Sequence, residues 1–511
     1  MHIDARTLDD DSIIEGDLCI VGAGAAGISM ALEWANTSYK VILLEGGGFN
    51  VESDVQDLYA GESVGQRYYP LQSARLHFFG GTTGHWAGWS APYDPQDFEK
   101  RDWIPHSGWP ITRQTLDPYY NRASELIELG KYSFDIDTYI GDDPELVPLP
   151  FTDSPVWTKM WQLSPPTRFG KKYRDRIVNS DNIVLYTHAN VCDIEANESV
   201  SSIKDVALKT LEGKSHKVRA RKFVLACGAM QNARLLLASN KQAAAGLGND
   251  KDLVGRYFME HLEVESARFI LPSPGPMKLY TVDIFISKFF GELSLSAAKQ
   301  KELKSLNCTS SLRPGSFSRE SPLSIERYPE DAAETIRLME NMEKTAESGE
   351  AVLIDHSQIK MYSMHTRLEQ APNPNSRISL SDEKDALGVP RTKLDWQLTE
   401  LDKHSIRSFY QTLGEEAGRL GIGRIQMSDW LLEDDPMLPS YLGGGWHHMG
   451  TVRMHDDPNE GVVDANCKIH GIDNLYVAGS ATFPTAGAAN PTHTIIAMTL
   501  RLSDHLKQEI D

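Results

Sequence analysis

Asp17-Leu18-Cys19-Ile20-Val21-Gly22-Ala23-Gly24-Ala25-Ala26-Gly27 starts as a short apolar run and ends as a turn punctuated by glycine. Residues 28–35 (ISMALEWA) then have helical composition and apolar spacing. Lys40-Val41-Ile42-Leu43-Leu44-Glu45 reads as a second strand. Strand, glycine turn, helix and strand form a nucleotide-binding unit. Its glycines permit a tight turn and let backbone N–H groups approach a pyrophosphate at the helix N-terminus. Gly22, Gly24, Ala25, Ala26 and Gly27 are the expected cradle. Glu45 stands 23 residues after Gly22, where a carboxylate accepts hydrogen bonds from ribose hydroxyls. A ligand-free turn would explain the glycines alone, but not the helix and the acidic residue at this spacing. Glutamate rather than a basic residue argues against a phosphorylated ribose, leaving FAD or NAD.

Composition sets the limits around this unit. A chain of 511 residues suggests two or three domains. Hydrophobic residues at 41% and charged residues at 24% fit a globular protein, and no apolar run approaches the length of a bilayer span. The first residues, MHIDARTLDDDSIIEGD, show neither the basic nor the apolar region of a secretory signal. A formal charge of −20 disfavours nucleic acid and anionic membranes as partners. Cys19, Cys192, Cys227, Cys308 and Cys467 form no CxxC pair, which disfavours a disulfide framework, a metal site and a dithiol enzyme. A reducing cytoplasm is the expected compartment, and no metal is expected.

A second motif separates the two dinucleotides. Residues 75–93 read RLHFFGGTTGHWAGWSAPY, mixing glycines and small hydroxyl residues with aromatics, as suits a loop laid over a flat ring. GGTTGHWAG resembles the flavin-contacting loop of the glucose–methanol–choline (GMC) oxidoreductases, in particular the branch of pyranose 2-oxidase and glycoside 3-dehydrogenases. The resemblance implies FAD, with contacts from Arg75, Gly81, Thr82, His85, Trp86 and Ala87. It also implies that His85, the histidine before the tryptophan, can be joined covalently to the flavin methyl group.

Further stretches extend the resemblance over essentially the whole chain. Ala189-Asn190-Val191-Cys192-Asp193-Ile194 matches the segment that meets the adenine, through Val191. The strand ending Val224-Leu225-Ala226-Cys227-Gly228, followed by a helix, matches the second dinucleotide-facing unit through Ala226; Cys227 is expected to be core rather than nucleophile. Asp252-Leu253-Val254-Gly255-Arg256 matches the exit from the FAD domain. Residues 309–322 read as loop, and 330–344 as a charged helix with a solvated face. Residues 372–380 and 388–391 resemble the substrate-domain sheet. The implied architecture is α/β (α+β). A Rossmann-like FAD-binding domain (1–95, 171–262 and 440–511) is interleaved with a substrate domain (96–170 and 263–439) built on an antiparallel sheet flanked by helices.

The chemistry is carried near the C-terminus. Gly443-Gly444-Gly445-Trp446-His447-His448-Met449-Gly450-Thr451 holds two adjacent histidines, which point in different directions on an ordered chain. In the family the catalytic histidine stands four residues before the threonine, which selects His447; its partner falls at Asn490 in AANPT. Gly479, Asn490, Pro491 and Thr492 are the implied flavin contacts here. Asn490 before Pro491 also suits a helix N-cap, and His493 is a weaker candidate for orienting the site. Alcohol oxidation removes a hydride, taken by flavin N5, and a proton, which a histidine base accepts. The expected reaction is oxidation of a secondary alcohol, foremost a sugar or glycoside ring hydroxyl at C2 or C3. A non-sugar alcohol and a redox-silent flavin lyase are the alternatives, and the electron acceptor is oxygen or an external carrier.

Overall fold

The computed structural model describes residues 1–141, 143–281, 287–314, 332–348, 356–436 and 438–510. The strand Ser12–Val21 lies inside an eight-stranded sheet, between parallel neighbours Val41–Leu44 and Ser215–Leu225. Ile183–Thr187 and His2–Asp4 extend the parallel part beyond Val41–Leu44, and Leu475–Val477 adds in parallel to Ser215–Leu225. Ile203–Lys209 and Asn190–Ala196 continue it antiparallel. Leu18, Cys19, Ile20 and the whole of Val41–Leu44 are buried, which is why these strands are unbroken apolar runs. The helices Ala25–Trp34 and Thr492–Glu509 pack against one another at this sheet.

The second eight-stranded sheet is antiparallel. Its order is Arg424–Met427, His261–Ile270, Met361–Glu369, Cys308–Pro314, Phe289–Leu295, Val156–Leu163 and Trp89–Ser90, with Gly443–Gly444 also pairing with His261–Ile270. The helix Glu400–Arg419 covers it. In its register Glu263 faces Arg367 and Glu265 faces His365, while Thr309 and Ser311 oppose the same two residues from the other side. Side chains alternate along a strand, so His261, Glu263 and Glu265 share one face. That face is polar. A nucleotide-binding sheet joined to an antiparallel sheet is the α/β (α+β) fold expected.

Three local expectations are corrected. Arg377–Lys384 and Pro390–Trp396 do not join the large antiparallel sheet. They form a hairpin through Gly388 (φ +81°), which pairs in parallel with Gly61–Gly65 as a separate three-stranded sheet. Residues 308–314 are a strand rather than a loop, because both edges of this polar segment find partners; 315–322 lie outside the described residues. The helix Ala332–Glu347 forms as expected, with residues 330–331 outside the described residues, but it is not simply a solvated surface. Thr335, Leu338, Met339 and Met342 border the central cavity.

Candidate active site

One cavity of about 640 Å³ is bordered by both large sheets, from the glycine turn to the paired histidines. At one end Gly22 takes φ +101° and donates its N–H to Leu44 O at 2.8 Å. A Cβ on Gly24 would meet nothing within 4 Å, so the backbone there faces open space. Gly27 is different. It does not border the cavity, and its Cβ would stand 1.8 Å from Gly22 O; this glycine lets helix and strand pack closely. Glu45 accepts the N–H groups of Ala23 (3.1 Å) and Gly47 (3.0 Å), tying the two turns together, while its carboxylate borders the cavity. Burial raises its pKa against these bonds.

The flavin-type loop closes over this turn. Gly80 donates to Ala23 O at 2.8 Å, and Gly81 packs so closely that its Cβ would lie 3.0 Å from the Gly24 Cα. Arg75, Gly81, Thr82, His85, Trp86 and Ala87 all border the cavity, as do Ala25, Ala26, Val191, Ala226, Gly479, Asn490, Pro491 and Thr492. His85 is 3% exposed, and neither ring nitrogen has a hydrogen-bond partner among the described residues. Burial, with Arg168 nearby, holds its pKa down to about 4. Buried polar atoms are rarely left unpaired, so an absent partner is implied. An open glycine cradle, a carboxylate beside it on the cavity and an orphaned imidazole beyond them fit FAD.

At the other end the turn at Trp446 (φ +58°) sends the two histidine rings apart. His447 Nε2 lies 3.2 Å from Asn490 Nδ2, and His447 Nδ1 lies 2.9 Å from His261 Nδ1. Burial, with His261 beside it, keeps the His447 pKa well below the usual imidazole value, so the ring is neutral. His448 Nε2 lies 2.7 Å from the Tyr68 hydroxyl, which also donates to Glu260 at 2.5 Å. Glu260 additionally accepts the backbone N–H of His261 (3.0 Å) and of His447 (2.5 Å), and burial lifts its pKa to about 8. This carboxyl ties the start of the strand His261–Ile270 to the turn that carries His447.

Two sequence expectations change here. Asn490 caps no helix: Thr492–Glu509 begins one residue later with Pro491 at the cap position, and the Asn490 Oδ1 accepts from Trp161 Nε1 at 3.2 Å. His493 does not orient the site, since its Nε2 lies 3.0 Å from both Tyr120 O and Ser124 Oγ, away from the cavity. Cys227 lies just past its strand, at the cap of Gly228–Ala238; its thiol donates to Val21 O at 3.1 Å, and burial raises its pKa to about 12. Burial thus disfavours its thiolate, although the residue borders the cavity.

The wall formed by the antiparallel sheet was missed in the sequence. Glu263, Ser311, Arg313, His365 and Arg367 border the cavity. Arg367 Nε donates to Glu263 at 3.1 Å and its guanidinium lies over the Trp89 ring at 4.6 Å; His365 Nε2 lies 3.3 Å from Glu263. Burial alone would raise the Glu263 carboxyl, but Arg367 and His365 hold it well below the usual range. The available signal was His261-Leu262-Glu263-Val264-Glu265, a strand alternation with a polar side.

This cradle and cavity define a flavin-dependent oxidoreductase. Residues 372–499 match the family model described as GMC oxidoreductase, and residues 17–264 match that described as FAD dependent oxidoreductase. The chain is 24% identical to the fructose dehydrogenase large subunit of Gluconobacter japonicus, over 97% of this chain and 98% of that one. It is 26% identical to paromamine 6'-oxidase of Streptomyces fradiae, over 97% and 91%. A formate oxidase structure from Aspergillus oryzae superposes with a TM-score of 0.58 at 17% identity, covering 98% of this chain and 99% of that one. The C-terminal quarter thus carries the GMC oxidoreductase match, and the chain is an FAD-dependent enzyme acting on CH–OH groups. No helix among the described residues is long and apolar enough to cross a membrane.

Proposed function

We propose that the protein oxidises a secondary hydroxyl of a sugar or glycoside, at ring carbon 2 or 3, with His447 as base. The observation that carries the substrate class is the polar sheet wall opposite the cradle, where Glu263, His365, Arg367, Arg313 and Ser311 border the cavity. Beyond the bonds that pair Glu263 with Arg367 and His365, such a wall offers a polyol further donors and acceptors that a simple alcohol cannot use. The names of the two relatives, a fructose dehydrogenase and a paromamine oxidase, point the same way. FAD, held by the cradle, supplies the hydride acceptor. Asn490 Nδ2 donates to the substrate oxygen, and the neutral His447 Nε2 takes its proton as C–O becomes C=O.

The substrate test is anaerobic flavin bleaching with D-glucose, D-fructose, methyl β-D-glucopyranoside, 2-propanol and ethanol. One of the three sugars is expected to bleach the flavin at far lower concentration than either simple alcohol. Bleaching by the simple alcohols alone would remove the sugar reading and leave the FAD-dependent oxidoreductase class standing.

The unpartnered ring of His85 supports a bond from one of its nitrogens to the flavin methyl carbon. Yellow colour is therefore expected to stay with acid-precipitated protein and to be released in His85→Ala. Colour passing wholly into the acid supernatant of the unmodified protein excludes the bond.

A further inference from the structure

His261 is fully buried at the start of the strand His261–Ile270, with its ring 4.9 Å from that of His447 and inclined at 75°. Its Nε2 has two neighbours, Ala486 O at 3.2 Å and Gly487 O at 2.9 Å. Carbonyl oxygens only accept, so the His261 Nε2 carries a hydrogen. Burial holds the His261 pKa at about 4, so the ring is neutral and its Nδ1 bears a lone pair. That nitrogen lies 2.9 Å from His447 Nδ1, which must then be the donor of the pair.

The far side of His447 is ordered by the same logic. Trp161 Nε1 only donates, so the Asn490 atom facing it at 3.2 Å is the carbonyl oxygen. The Asn490 amide nitrogen is thereby turned toward His447 Nε2 at 3.2 Å, on its lone-pair side; a substrate hydroxyl replaces this contact, accepting from the amide and donating to the ring. The carbonyls that hold His261 and the amide that meets His447 belong to one loop, 486–490, and Gly487 turns there with φ +56°. A single loop thus sets both ends of the base.

We propose that His261 is a positioning residue that holds His447 in its Nδ1–H tautomer and so aims the Nε2 lone pair at the substrate hydroxyl. The proposal rests on the reading of His447 as base. In the reaction the substrate O–H bond breaks and its proton forms a bond to His447 Nε2, while the hydride leaves carbon for the flavin. Both nitrogens of His447 are then protonated, and its Nδ1–H remains donated to His261. Without an acceptor at Nδ1, the ring is free to carry its hydrogen on Nε2 instead. That tautomer has no lone pair for the hydroxyl.

The test uses the holoenzyme labelled with [15N]histidine, with His447→Ala assigning the resonances. Nδ1 of His447 is expected to be protonated and Nε2 bare; a protonated His447 Nε2 in the unmodified enzyme overturns the proposal. His261→Leu removes the acceptor, and His261→Asn places an amide oxygen near the lost Nδ1. With the fastest of the five compounds named above, His261→Leu is expected to slow anaerobic flavin reduction about 10²-fold, part of the roughly 10⁴-fold that a wrong tautomer costs in a catalytic triad. FAD stays bound. His261→Asn is expected to keep the Nδ1–H tautomer and to recover most of the rate. Equal slowing in both variants reveals a merely structural role, and no slowing in either shows that the tautomer needs no holder; both results overturn the proposal. If His447→Ala itself reacts at the unmodified rate, the base assignment fails, a result distinct from failure of the His261 variants.

Discussion

His447→Ala is expected to slow anaerobic flavin reduction by about 10²–10⁴-fold, the usual loss on removing a positioned general base, while FAD stays bound. His448→Ala is expected to do clearly less. The difference comes from what the two rings touch. His447 Nε2 faces Asn490, whereas His448 Nε2 is engaged by the Tyr68 hydroxyl, itself bonded to the buried Glu260. The pH profile supplies a second check. Burial depresses the His447 pKa, and the base works in its neutral form, which is present above that pKa and lost as pH falls through it. Reduction by saturating substrate is thus expected to be flat through neutral pH and to fall only in the acid range. Stopped-flow reduction of both variants across pH decides the matter. If His448→Ala loses the acid-limited profile and His447→Ala keeps it, the wrong histidine has been chosen.

Gly24→Val and Gly27→Val are expected to fail in opposite ways, although both fall in one glycine motif. Gly24 has φ −85° and ψ −162°, which valine adopts freely, and a Cβ there meets nothing within 4 Å. The variant is expected to fold, with its isopropyl group standing in the space where the pyrophosphate belongs. Overpacking typically costs about 1–3 kcal/mol, which weakens FAD binding by roughly 5- to 150-fold. At Gly27 a Cβ would stand 1.8 Å from the Gly22 carbonyl oxygen, so the helix Ala25–Trp34 has no way to seat on its strand. That variant is expected to be lost to misfolding before FAD matters. Thermal melts of the apoproteins, with FAD titration followed by flavin fluorescence, separate the two effects. Unmodified FAD affinity in Gly24→Val would place the pyrophosphate elsewhere.

Much of the cofactor end was legible in the chain because its information is local. A pyrophosphate cradle needs a strand, a tight turn and a helix N-terminus in succession, and those are consecutive residues with characteristic composition. The same holds for the loop carrying His85 and for the turn carrying His447 and His448. Residues 372–380 and 388–391 show the limit. Their strand character was readable, but the partner at Gly61–Gly65 was not, since choice of sheet is made by contacts remote in sequence. Asn490 before Pro491 likewise has the chemistry of a cap, yet its side chain is taken by Trp161 and His447.

The sequence by itself determined the fold class, the strand, glycine turn and helix at the N-terminus, and the two residues, His447 and Asn490, that the structure brings within 3.2 Å of one another. Tertiary structure alone decided how that pair is held. Tyr68, Trp161 and the adjacent pair Glu260-His261 come from three separate stretches, and nothing in the spacing marks them as neighbours of His447 or Asn490. The alternation from His261 to Glu265 announces a strand with a polar side, which on an isolated sheet would face water. Pairing with Met361–Glu369 sets Glu263 opposite Arg367, and closure against the nucleotide-binding sheet turns that polar side into the cavity wall. A hydrogen-bond donor or acceptor acquires its direction, its tautomer and its pKa only from what is packed around it, and that packing is non-local.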